Sequence, residues 1–82
     1  MEEMTYKYVD TLQKKVTTES EVVTKLLDSM HQSTVAISYE ARIQGDLQDK
    51  FINIADAIER AKKELQEAEF EFNKIYYQFL YQ

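Results

Sequence analysis

Apolar residues recur along the second half of the chain at alternating steps of four and three. Leu47, Phe51, Ile54, Ile58, Ala61, Leu65, Ala68, Phe72, Ile75 and Phe79 form an unbroken seam. An α-helix turns once in 3.6 residues, so this spacing draws a narrow apolar stripe down one side of a single long helix. It predicts a helix over about 47–80. The first half carries a looser seam. Val9, Val16, Val23, Met30 and Ile37 stand seven apart, Leu12 and Leu26 fill places between them, and Glu19 and Ser33 interrupt. A helix over about 4–42 is predicted there. Its weak stretch runs from Val16 to Val23, where β-branched side chains lose rotamer freedom and Ser and Thr compete for backbone hydrogen bonds. Thr18 with Glu21 reads as a capping box, so a break near Thr18 is the alternative to one long helix.

Gly45, the only glycine, lies between the two seams. It is expected just past the end of the first helix, where a left-handed backbone costs glycine nothing. Asp46 is then expected to cap the second helix by accepting the amide of Asp49 or its neighbour. A connection this short makes the helices antiparallel neighbours. With no Pro and no Cys, the fold class that follows is all-α: one long antiparallel helical hairpin spanning residues 1–82 as a single domain. Its arms should be roughly 50 Å long at ~1.5 Å per residue.

Two helices can hide only one stripe each, and apolar side chains are left over. On the first helix these are Tyr8, Val22, Leu27, Val35, Ala36 and Ile43; on the second, Ile52, Phe70, Tyr76, Tyr77, Leu80 and Tyr81. Apolar surface in excess is an association site. The hairpin is therefore expected to pair into a four-helix bundle, as a homodimer or as a heterodimer with a second helical chain. The residues expected at that interface are Val9, Val16, Val23, Met30, Ile37, Ile54, Ile58, Leu65, Phe70, Phe72, Tyr76, Tyr77 and Phe79. Most aromatics fall near the two termini, which meet at the open end of a hairpin. They form either a plug against fraying or a docking surface, and Phe70 and Tyr77, opposite the seam, favour docking.

Net charge is −5 and the pI near 4.8. The basic clusters, Lys14–Lys15 and Arg60, Lys62 and Lys63, sit among acids, so neither nucleic acid nor an anionic membrane is the expected partner. No apolar run approaches the ~20 residues of a membrane span. The acidic N-terminus lacks the pattern of a cleaved secretory signal. The expected location is cytoplasmic, or outside the cell by a route that reads no cleaved signal. His31, the only histidine, reads as a surface or flank residue; it has no second ligand for a metal, and Ser29, Ser33 and Ser38 have no base besides it. Glu64, Glu67, Glu69 and Glu71 read as a solvated face. No cofactor, metal or catalytic site is expected, and the protein reads as a non-catalytic protein-interaction module.

The segment Ile43-Gln44-Gly45-Asp46-Leu47-Gln48-Asp49-Lys50-Phe51 resembles the mid-chain turn of the small Trp-x-Gly helical-hairpin proteins of type VII secretion. Ile43 stands in the tryptophan place, Gly45 in the glycine place and Phe51 in the downstream apolar place. The resemblance implies a dimeric four-helix bundle that leaves the cell without a cleaved signal. The family's C-terminal Tyr-x-x-x-Asp/Glu signal is not found after the second helix; the one such match, Tyr6 with Asp10, is at the other end. The role implied is thus a secretion substrate or, more narrowly, a targeting partner of a larger helical effector. A cytosolic helical chaperone, like those of type III needle subunits, or a phage-encoded inhibitor is the alternative on the same architecture.

Overall fold

The computed structural model describes residues 3–81. Met1, Glu2 and Gln82, which entered the reading of the termini, lie outside the described residues. Helix α1 spans Glu3–Ser38 and helix α2 spans Asp46–Leu80. They run antiparallel as a rod of 62 × 16 × 10 Å. α1 is continuous through Thr18, so the break does not occur. The hydroxyls of Thr11 and Thr34 donate to the carbonyls of Lys7 and Met30 one turn back, so both are satisfied within the helix.

α1 ends at Ser38, about four residues earlier than expected. The chain tightens there: the amides of Tyr39 and Glu40 bond the carbonyls of Ala36 and Ile37, three residues back. The Ser38 hydroxyl donates to the Val35 carbonyl at 2.6 Å, and Gln48 Nε2 of α2 donates to the Ser38 carbonyl at 2.8 Å. A terminal carbonyl that has no partner in its own helix is thereby satisfied from the other one.

Gly45 is placed differently from expectation. It is the N-cap of α2 rather than the end of α1, at φ 60°, ψ −129°. That ψ is far from the left-handed helical well, and only glycine visits this region easily. Its carbonyl accepts the Asp49 amide at 3.1 Å. Asp46 is therefore not the cap. It is the first helical residue, where its charge and that of Asp49 favour the amide-rich helix terminus.

Candidate partner-binding face

The surface α1 turns toward α2 is polar. Gln13, Thr17, Ser20, Thr24, His31, Thr34 and Ser38 are buried or half-buried, with Tyr6, Asp10 and Leu27 the remaining members of the same three-and-four spacing. α2 answers with Gln48, Phe51, Ala55, Ile58, Lys62, Leu65, Glu69, Asn73, Tyr76 and Phe79. Ala55, 1% exposed, is the one fully buried apolar residue among those described.

Cross-helix hydrogen bonds run the length of this seam. After Gln48 to Ser38 comes His31 Nδ1, 3.0 Å from the Ala55 carbonyl. A carbonyl only accepts, so Nδ1 carries the hydrogen. Lys62 Nζ meets Asp28 at 2.6 Å and Ser20 Oγ donates to Glu69 at 2.6 Å. Gln13 donates to Asn73 at 3.2 Å and the Tyr76 hydroxyl to Asp10 at 2.8 Å. The Tyr6 and Phe79 rings then close the open end, 5.3 Å between centroids. No buried side-chain polar atom among the described residues lacks a partner, which is what lets a polar seam persist. The charges respond. The Tyr76 hydroxyl, then Lys14, lower the Asp10 pKa; the bond to Asp10 raises that of Tyr76; and Asp28 raises that of Lys62.

Because polar residues occupy the seam, the apolar stripe of α1 is rotated about one residue, roughly 100°, away from α2. Leu12, Val16, Val23, Leu26, Met30 and Ile37 stay exposed, Leu26 at 58% and Met30 at 52%. On α2, Leu47, Ile54, Phe72 and Ile75 do the same, with Ile54 at 51% and Ile75 at 61%. Both stripes open to the same side. One groove of about 180 Å³ is lined by Val16 and Ser20 of α1 with Leu65, Ala68, Glu69 and Phe72 of α2. A second, of about 280 Å³, joins Val9 to Phe72, Ile75, Tyr76 and Phe79. The hairpin thus has one apolar face running along both helices.

The expected interface residues separate into four groups. Val16, Val23, Met30, Ile37, Ile54 and Phe72 lie on the open face, with Val9 half-buried at its edge. Ile58, Leu65 and Phe79 are half-buried between the helices at the border of that face. Tyr76 is held by Asp10 inside the hairpin, so it is not a free docking side chain. Phe70 and Tyr77 are exposed away from the open face, Phe70 at 69%. Of the turn residues, Ile43 and Phe51 are half-buried beside Gly45.

His31 is not a flank residue: it ties α1 to α2. Glu69 likewise belongs to the seam and not to a solvated face. Leu27 and Val35, read as surplus, are half-buried against α2. A signal for this was present, since Gln13, Thr17, Ser20, Thr24, His31, Thr34 and Ser38 repeat with the same spacing as the apolar seam, one position later.

Among the described residues, no helix is long and apolar enough to cross a membrane, and no three His, Cys, Asp or Glu side chains are grouped to hold a metal. No protein-family model, curated protein or solved structure matches the chain.

Proposed function

We propose that this protein is a non-catalytic interaction module whose open face packs against helices of a partner to complete a four-helix bundle. The observation that carries this reading is the exposed apolar stripe shared by α1 and α2, set against a hairpin in which α1 turns a mainly polar side toward α2. Burial of apolar area is the main stabilising term in folding and association, and here most of it is still available to a partner. The resemblance at Ile43, Gly45 and Phe51 supports a finer role as a secretion substrate, or a targeting partner of a larger helical protein. It would act in the cytoplasm or after export without a cleaved signal.

The test compares one substitution on each side of the rod. Leu26→Glu places a charge in the centre of the open face, where desolvating it is costly. Phe70→Glu places the same charge on the opposite side. Association measured by light scattering should be lost in the first and kept in the second, with helical circular dichroism similar in both. The reverse result would move the docking surface to the Phe70 side and overturn the proposal.

A further inference from the structure

α1 carries two seams of the same spacing, one position apart. Leu12, Val16, Val23, Met30 and Ile37 stand one residue before Gln13, Thr17, Thr24, His31 and Ser38. One residue is about 100° of helix, so turning α1 by that angle about its own axis would exchange its polar seam for its apolar one. α2 is built for either. Phe51, Ile58, Leu65 and Phe79 are half-buried between the helices and belong to the apolar seam as well. The polar seam adds the row Ala55, Lys62, Glu69 and Tyr76; the apolar seam adds the row one position earlier, Ile54, Ala61, Ala68 and Ile75. Moving from one row to the other needs about half the turn that α1 makes.

No sliding is required. At the register set by Gln13 with Asn73 and His31 with the Ala55 carbonyl, Leu12 comes level with Ile75, Leu26 with Ala61 and Met30 with Ile58. Along the α1 stripe only Glu19 and Ser33 break the apolar match, and Glu19 comes level with small Ala68. The connection allows the turn. Residues 39–45 belong to neither helix, and the Gln48 bond to the Ser38 carbonyl is what ties the end of α1 to α2.

The two arrangements oppose comparable terms. Turning α1 exchanges each cross-helix hydrogen bond for one with water, a small net change, and it hides the apolar stripe, which is favourable. It also draws the Glu19 carboxylate toward the seam, which is unfavourable; its ion pair with Lys15 is loose, at 3.8 Å between exposed side chains.

We infer that α1 has a second seating on α2, reached by this axial turn, in which the hairpin covers its own open face. A partner then docks by holding α1 in the polar seating, because only there is the stripe accessible; a ligand that binds one of two states shifts the population toward it. This rests on the reading of the open face as a docking site and adds the conformational step that controls it.

The chain has no cysteine, so disulfide trapping in the full chain can report both seatings. Ser20→Cys with Glu69→Cys spans the polar seam. Leu26→Cys with Ala61→Cys spans the apolar one. In the polar seating both of those side chains leave through the open face, about one helix spacing apart, ~8–10 Å, beyond the ~3.5–4.5 Å between Cβ atoms that a disulfide needs. Glu21→Cys with Gln66→Cys, exposed on the other side of the rod, is the control that neither seating brings together. In dilute protein and a glutathione buffer, non-reducing electrophoresis should show the first two pairs closing within single chains at comparable rates. The control should close at least about tenfold more slowly, its effective concentration being lower.

Failure of the Leu26 and Ala61 pair to close, or closure only between chains, overturns the second seating. Closure of the control as fast as that pair also overturns it, because the helices would then roll freely instead of exchanging between two seatings. Neither result bears on whether the face docks helices at all, which the Leu26→Glu and Phe70→Glu comparison decides separately.

Discussion

Ser20 Oγ donates to Glu69 at 2.6 Å between the two helices, while Val16, one turn earlier on the same helix, is exposed to solvent. A buried serine and an exposed valine at neighbouring places on one face invert the usual order of burial. The inversion extends along α1, and it makes the hairpin a polar clasp that carries an apolar face.

If the clasp contributes to stability, Ser20→Ala should lower it by about 1 kcal/mol, the order of a hydrogen bond to a charged acceptor at a half-exposed site. Urea denaturation at fixed protein concentration measures this. In a double-mutant cycle with Glu69→Ala the two losses should not add. Strict additivity would mean that the contact contributes nothing.

Ile58 and Asp56 separate seam from surface. Ile58 is half-buried between the helices at the border of the open face, and Asp56 is exposed. Ile58→Asp should cost about 2–4 kcal/mol, because it buries a charge with no partner. Asp56→Ala should stay within about 0.5 kcal/mol, as surface changes usually do. Thermal melts followed by circular dichroism read both, and equal melting points would place the register of α2 elsewhere.

Gly45 offers a test of backbone alone. Nothing lies within 4 Å of a Cβ built there, so space is not the constraint; φ is, at 60°. Gly45→Ala should destabilise by about 1–2 kcal/mol. Gly45→Asn should not rescue it, because asparagine tolerates the left-handed helical well and ψ here is −129°. Denaturation midpoints of the two variants should fall together below the parent, and recovery in the asparagine variant would contradict the turn geometry.

The pH dependence follows from three groups. The folded pKa of Asp10 lies below its ordinary 3.8, chiefly through the Tyr76 hydroxyl. Its contribution is therefore present above that ordinary value and lost as pH falls through the lower, folded one. Tyr76 and Lys62 are raised above 10.0 and 10.5 by Asp10 and Asp28. Their contributions are complete below those values and lost as pH rises through the folded ones. Tyr76→Phe should flatten part of the acid loss and part of the alkaline loss, and Lys62→Met part of the alkaline loss only. Melting temperatures from pH 2 to 12 would show this, and an unchanged acid limb in Tyr76→Phe would deny the Asp10 link.

The sequence made some of this legible and hid the rest for a physical reason. The α2 helix could be read because apolar side chains at seam spacing carry a strong local signal, and the turn because only Gly45 can take its backbone angles. The direction in which α1 faces could not be read from apolar spacing. It depends on pairings such as Gln13 with Asn73, His31 with the Ala55 carbonyl, and Gln48 with the Ser38 carbonyl. Each residue of such a pair reads as surface until its distant partner is placed. The early end of α1 has the same origin, because the partner that satisfies Ser38 comes from the other helix.

On this reading the hairpin has too little core to stand alone. Sedimentation equilibrium of the purified chain, with helical circular dichroism and a thermal melt on the same sample, tests it most directly. The expected result is a mass above 9.7 kDa, or a chain without cooperative unfolding until a helical partner is added. A cooperatively folded monomer at micromolar concentration, with a melting temperature unchanged by Leu26→Glu, would contradict it.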